Sequence, residues 1–572
     1  MLTGPGRPFI EQTASKPALT RRISAFRALL LLSSSALVAL WVSVAKDWEV
    51  PVLDDPIYAQ VAFDFARTGQ ILLPDLSAPT AIFEAVWGGL FARAFGMTYG
   101  VLRVSSLVIL FASIPALFCA LRLLGTSRQL SALGTAAYVF NPMLFSISNT
   151  FMTDGHFLAL LVIAFALIVR GTVREDHQYS FLLLGGVASG LAYLSRQQAL
   201  VLPLAAALAF ATSKGSSGWI RGALVGVPTI VTVAMIGLLS TQGEGPVLRS
   251  LSIQDVQSRT SSEVAAVAGI TFELGVVFFG LFLVPVLPVL VRNMRVDKGR
   301  AVGPLLAGVG VGLIIFCANA LINSRLALTH HDTWWSITGI GAVDRTYLGK
   351  RPALVPMVIL GVLTVAAFFA AWASIWLASR SRKARQTERF IVLAILGFVG
   401  TSFLGGLAWH GAPLDRYWLP ILPLALALTL PSLKSSRASF GAATVLTVVM
   451  TFVSIVGTRD AIVVTESSLA LAEELTPTPI PLNNFDGGGP WMALNFGLPD
   501  VDPDIYPAPG PFWVAFFNPD LDPHYGIALE ALEGYEVIER REYSSWLHLQ
   551  PTYLYVVHRD PALPFYIRIE DW

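Results

Sequence analysis

Two adjacent carboxylates, Asp54 and Asp55, lie in the segment Val52-Leu53-Asp54-Asp55-Pro56-Ile57-Tyr58-Ala59, just beyond the first apolar run of membrane-crossing length. Neighbouring carboxylates at a membrane surface can take a proton, hold a divalent cation, or do both. They are the candidate catalytic residues of the chain. Asp55 also has a purely structural reading, because Asp followed by Pro is a common helix start and its carboxylate could cap the helix that Pro56 begins.

The composition defines the setting for that pair. Hydrophobic residues make up 54% of the chain, charged residues only 13%, and the mean hydropathy is +0.63. Soluble domains carry roughly 25% charged residues, so this is a polytopic membrane protein. A formal net charge of +1 and the lack of a basic-aromatic stripe exclude nucleic acid as a partner. Both cysteines, Cys119 and Cys317, fall inside apolar runs, which reads as packed thiols rather than a disulfide or a metal pair.

Apolar windows suited to roughly 30 Å of hydrocarbon occur at 26–45, 101–124, 131–148, 156–170, 181–194, 198–211, 222–239, 270–291, 302–322, 354–377, 390–409, 418–433 and 440–456. They predict an all-α bundle of about thirteen transmembrane helices. With the N-terminus inside, Arg122 and Arg128, Lys214 and Arg221, the basic groups at 292–300 and 380–389, and Lys434 with Arg437 all fall on the cytoplasmic side. The loops at 47–99 and 324–351 fall outside, and so does the C-terminus. The first apolar run also admits a signal-peptide reading, with cleavage near residues 43–45. The bundle would be otherwise unchanged.

Two regions outside the membrane are long enough to be organised. In the first outer loop, 46–100, the spacing predicts amphipathic helices at 57–68 and 81–95, joined through a Pro-containing turn. The tail is more polar, and runs such as Tyr553-Leu554-Tyr555-Val556-Val557 read as strands. The chain therefore divides into a transmembrane domain at 1–457, which includes the loop 46–100, and a small extracytoplasmic α/β domain at 458–572. Near its start, Gly487-Gly488-Gly489-Pro490 lacks the lysine of a phosphate loop and reads as a flexible turn.

The order of features over roughly the first 200 residues resembles the bacterial GT-C glycosyltransferases, which include the protein O-mannosyltransferase-like and lipid A aminoarabinose transferase-like families. The resemblance rests on Asp54-Asp55-x-x-Tyr58-Ala59, Thr68-Gly69, Phe95-Gly96 and Leu102-Arg103. Thr153-Asp154, Ser195-Arg196 and Asp415-Arg416-Tyr417 with Pro420 and Pro423 extend it. It implies a GT-C type bundle in the bacterial inner membrane. It also implies that Asp54 is the acceptor-activating or metal-associated carboxylate, with Asp55 in the place of a Glu. Tyr58, Asp154, Arg196, Arg416 and Tyr417 become candidate substrate-binding residues, and Asp54 with Asp154 a candidate site for a divalent cation. One element departs: where those relatives often carry Lys-Pro-Pro, this chain has Ala78-Pro79-Thr80.

Chemistry leads to the same donor. The outer face has no nucleotide sugars, so a glycosyl donor there must be held on a lipid phosphate, and a polyprenyl-phosphate sugar fits. Arg196 and Arg416 can offer guanidinium forks to its phosphate, and Asp54 can take the proton of an acceptor hydroxyl. Hexose, pentose and amino-sugar donors, and lipid, glycan or protein acceptors, are all compatible. Bland readings stand beside these roles: Asp154 as a helix cap, Arg196 and Arg416 as interfacial snorkelling residues, His330-His331-Asp332 as an ordinary interfacial loop or a lining of the donor or acceptor cleft rather than a metal site, and His410 as polar filler at a helix end. A transporter or flippase of a lipid-linked saccharide is the alternative function. It would place ionisable residues near the bilayer midplane, whereas here they gather at span ends and in outer loops.

Overall fold

The computed structural model describes residues 48–74, 80–212, 217–240, 260–295, 338–341, 343–354, 357–380, 386–408, 414–476, 480–496 and 523–559, with isolated positions between them. The 26–45 window, most of 302–322, His330, His331, Asp332, His410 and Cys317 lie outside the described residues.

Seven described helices are long and apolar enough to cross a membrane: Tyr99–Leu123, Thr153–Val173, Ser217–Leu238, Ser261–Leu281, Gly361–Ser379, Gln386–Leu407 and Arg437–Leu475. They make this a multi-pass membrane protein. Other windows take shorter or broken forms, for local reasons. The 131–148 window splits into Arg128–Val139 and Pro142–Ile147, because Pro142 cannot continue the first helix and Asn141 starts the second. The Asn141 Oδ1 accepts from the Met143 and Leu144 amides at 3.1 and 3.3 Å. The 270–291 window likewise ends as a helix at Leu281, ahead of a short 3-10 turn containing Pro285, and resumes at Leu287. Cys119 differs from its expected packing, being exposed on its helix.

The 440–456 window instead extends into a helix of 39 residues, Arg437–Leu475, started by a Ser436 and Ser439 capping box. At 1.5 Å per residue it is roughly 58 Å long, about twice the hydrocarbon thickness. The far part of this helix contributes Ala461, Val464, Leu471 and Ala472 to a second core with Phe485, Trp491, Leu554 and Val556. The helix therefore runs unbroken across the 457/458 boundary and ties the bundle to the C-terminal sheet.

That sheet has four strands in the order Phe485–Asp486, Tyr525–Ala528, Thr552–Arg559, Tyr535–Tyr543; the first pair is parallel and the others antiparallel. The segment 338–351 bridges sheet and helix. Leu348 pairs with Ala528 in a parallel bridge, and Ile340 lies where a Cβ on Gly457 would stand 2.5 Å from its Cδ1. Asp344 and Arg351 hold this segment in shape through an ion pair at 3.1 Å, which keeps the Asp344 carboxyl below its usual range despite burial.

The first outer loop forms both expected helices, Asp55–Thr68 and Ile82–Phe95. Gly69, at φ +75, closes the first in the left-handed conformation that favours glycine. The two helices approach closely at Gly88 and Gly89. A Cβ on Gly88 would stand 3.2 Å from the Ala62 Cβ as well as 2.2 Å from the Phe151 ring beyond both helices, and one on Gly89 would meet the Ala62 carbonyl oxygen at 2.8 Å.

Candidate active site

The adjacent aspartates face different partners. Asp55 is fully buried. Its Oδ2 accepts from the Val52 amide at 3.1 Å and faces Arg103 Nη2 at 3.1 Å, while Oδ1 accepts from the Phe151 amide at 2.7 Å. It lies within the first turn of Asp55–Thr68 and its carboxylate does not cap that helix; it binds the backbone ahead of the turn and the start of another helix. Arg103 also donates to the Trp48 carbonyl at 2.8 Å and to the Val50 carbonyl. Glu49 accepts from the amides of Tyr99 and Gly100 at 2.9 and 3.2 Å. Residues 48–55 are thus fastened to the head of Tyr99–Leu123. Leu53 is bent to φ +52, a conformation uncommon outside glycine.

Asp54, at the N-cap position, points the other way and meets Arg416 Nη2 at 3.7 Å. Arg416 belongs to the 3-10 turn Asp415–Trp418 ahead of Ile421–Thr429. Its Nε is 3.9 Å from Asp154 Oδ2. The same Asp154 oxygen receives Arg196 Nη2 at 2.6 Å, and Arg196 Nε donates to Thr153 Oγ1 at 3.0 Å. Asp154 stands in the first turn of Thr153–Val173 and binds guanidiniums rather than capping that helix. Arg196 lies 5.2 Å over the Tyr417 ring. The Tyr58 hydroxyl hydrogen-bonds Thr153, and burial, reinforced by Asp54, raises its pKa and keeps it neutral. Asp54, Tyr58, Asp154, Arg196, Arg416 and Tyr417 therefore form one cluster, while Asp55 stands behind it.

The cluster balances two guanidiniums against two carboxylates. Asp154 is committed to Arg196. Arg416 is not committed in the same way: both of its carboxylate contacts exceed hydrogen-bond length, and its buried Nε has no hydrogen-bond partner.

Sequence reading passed over two residues behind the cluster. Glu84 and His156 are both fully buried, with Glu84 Oε1 at 3.6 Å from His156 Nδ1. Burial pushes the Glu84 carboxyl up to about 8. The signal was present: Glu84 is the lone carboxylate in the apolar helix IFEAVWGGLFARAF, and His156 follows Asp154 by two positions.

A divalent cation fits the described residues poorly. No group of three His, Cys, Asp or Glu side chains that could hold a metal occurs among them. Asp54 and Asp154 both face Arg416, and two such carboxylates fall well short of the six or so oxygens a hard cation takes.

No family model matches the chain, and no curated protein matches it. Among solved structures it is similar to GT-C glycosyltransferases. One is ArnT from Cupriavidus metallidurans bound to undecaprenyl phosphate, 16% identical, with a TM-score of 0.40 and 94% of this chain and 98% of that chain covered. Another is the archaeal oligosaccharyltransferase AglB from Archaeoglobus fulgidus in complex with an inhibitory peptide and a dolichol-phosphate. It is 10% identical, with a TM-score of 0.44 and 89% of this chain and 69% of that chain covered.

Proposed function

We propose that the protein is an inverting glycosyltransferase that moves a hexosyl or pentosyl group from a polyprenyl-phosphate donor to an acceptor hydroxyl on the outer face of the membrane. The acceptor is a lipid, glycan or protein, and the membrane is the bacterial inner membrane, with the N-terminus cytoplasmic and the C-terminal domain extracytoplasmic. The observation that carries this reading is Arg416, whose guanidinium lies 3.7 Å from Asp54 and whose buried Nε makes no hydrogen bond.

In a single displacement the acceptor oxygen attacks the anomeric carbon as the bond to the phosphate oxygen breaks. Asp54 takes the acceptor proton. The departing polyprenyl phosphate keeps the bonding electrons, and its charge is met by Arg416 and, beside it, Arg196. Asp154 orients Arg196, Tyr58 and Tyr417 wall the site, and Asp55 is a positioning residue that fixes the turn presenting Asp54. No step passes through a metal ion.

The cluster's place in the chain favours this reading over a flippase. Asp54 is an N-cap, Asp154 stands in the first turn of its span, and Arg196 precedes the turn Gln197–Leu200. All three are at helix ends, whereas a transporter tends to hold ionisable groups at the midplane. The test is transfer by the purified protein in nanodiscs, supplied with labelled polyprenyl-phosphate sugars and envelope-derived acceptors. Product formation with the opposite anomeric configuration is expected. Movement of the intact donor between leaflets, with no transfer, would replace this reading by the flippase.

A further inference from the structure

The long helix Arg437–Leu475 marks its own exit from the membrane. From Ala438 to Thr458 it carries no charged residue, and those 21 residues rise about 32 Å, close to the roughly 30 Å of hydrocarbon. Arg459 and Asp460 follow at once. Val445, Val448, Val449 and Phe452 are exposed along one face of the uncharged stretch, the stripe that meets acyl chains. Arg459 comes seven residues after Phe452, two helical turns on, and so stands over that stripe at the membrane boundary.

The tip of a β-hairpin is fastened at this boundary. Residues 544–551 join Tyr535–Tyr543 to Thr552–Arg559. Buried Asp460 gathers them: its carboxylate accepts from Ser545 Oγ at 2.6 Å and from the amides of Trp546 and Leu547 at 2.9 Å. His548 Nε2 donates to the Pro352 carbonyl at 3.1 Å. Arg459 donates to the Ser544 carbonyl at 3.3 Å and lies 4.0 Å over the Trp546 ring. Away from the tip the strand climbs along the helix, because Arg541 pairs with Glu474, fourteen residues beyond Asp460.

What the fastened tip presents is apolar. Leu549 is fully exposed, Trp546 is more than half exposed, and 544–551 contains no Asp, Glu, Lys or Arg. In water this exposure is unfavourable. At the edge of a bilayer it is not, since Trp settles at the headgroup level and a leucine gains by reaching the acyl boundary. The Trp546 ring rests on Arg459, over the stripe that meets lipid. Continuity with that stripe names the bilayer as the occupant.

We propose that the tip 544–551 sits in the headgroup region of the leaflet nearest the sheet domain, with Trp546 and Leu549 dipping to the acyl boundary. The sheet domain is then fastened to the bilayer at a second point beside the long helix. This seat needs only the membrane-spanning helix and holds whether or not the protein transfers a sugar.

Nitroxide accessibility on the full-length protein in nanodiscs, with Cys119 and Cys317 replaced by Ala, tests the seat. A label at Leu549→Cys should be relaxed more by oxygen, which concentrates in lipid, than by a water-soluble nickel complex. A label at Glu533→Cys, at the other end of the nine-residue strand and roughly 30 Å away, should show the reverse. The ratio of oxygen to nickel access should differ between the two sites by about fivefold or more. A water-like ratio at 549 overturns the proposal, and so does protection there from both reagents, which would mean a protein cover. Because a nitroxide is itself apolar, a second measurement leaves the tip unlabelled. The emission of wild type minus that of Trp546→Phe should lose roughly half or more of its intensity in nanodiscs of brominated phospholipid, which quenches tryptophan at short range. An equal difference in brominated and plain lipid overturns the seat.

Discussion

Arg103 and Asp55 form a fully buried ion pair at 3.1 Å, and that pair decides which of two adjacent aspartates faces the candidate site. With Asp55 bound to Arg103 and to the amides of Val52 and Phe151, Asp54 is left directed at Arg416. Breaking a buried pair by removing one partner strands the other charge, at a cost of about 3–5 kcal/mol.

Asp54→Asn and Asp55→Ala should therefore fail in different ways. The first should fold normally, bind donor, and lose at least about a hundredfold in transfer, the scale of a missing general base. The second should lower the thermal midpoint and the yield of folded protein before any effect on chemistry is read. Measuring melting and single-turnover transfer on both variants separates the outcomes. Near-normal turnover by Asp54→Asn would remove it as the base.

The arginines should also separate. Arg416→Ala should weaken binding of a polyprenyl phosphate by about 1.5–3 kcal/mol, the worth of charge-assisted hydrogen bonds, with little loss of stability because its contacts are long. Arg196→Ala should weaken binding and destabilise as well, since buried Asp154 would lose its 2.6 Å partner. Titration of labelled lipid phosphate, run beside thermal melts, checks both.

Glu84 sets a pH dependence of known sign. Its carboxyl moves from 4.5 up to about 8 on burial, so the native state binds the proton more tightly than the unfolded chain. Stability should fall as pH rises from 4.5 to about 8 and level off above. Asp486, raised to about 6 by burial, adds a slope of the same direction in the C-terminal domain. The contribution of Glu84 is therefore read as a difference: Glu84→Gln should gain thermal stability over wild type steadily across that interval. A constant difference between the two proteins would show that Glu84 does not titrate in this way.

Transfer should persist in excess EDTA, because Asp54 and Asp154 both face Arg416 and no third ligand joins them among the described residues. Loss of activity in chelator, restored by magnesium or manganese, would establish a metal that the donor phosphate helps to hold.

Sidedness can be read with an impermeant thiol reagent on intact cells, after Cys119 and Cys317 are replaced by Ala. Glu533→Cys, on an exposed turn of the sheet domain, should be labelled, and Gln129→Cys, exposed in the first turn of Arg128–Val139 beside the basic residues Arg122 and Arg128, should not. The reverse pattern would put the site on the cytoplasmic face, where nucleotide sugars are at hand, and would remove the case for a lipid-linked donor.

Local sequence carried a good deal of this protein. Composition made it a membrane protein, apolar runs located the seven membrane-length helices among the described residues, and periodicity placed both helices of the first outer loop, since each of these signals is written within a few turns of chain. The break at Asn141-Pro142 was equally legible in residue type, although hydropathy alone joined the two pieces. Tertiary structure decided the rest. The neighbours Asp54 and Asp55 differ in role because of Arg103, Phe151 and Arg416, which lie from 48 to 362 positions away. Glu84 and His156 meet only once helices distant in sequence are packed together. Spacing reports which face of one element a residue occupies, but burial and charge pairing depend on what the other elements bring to that face.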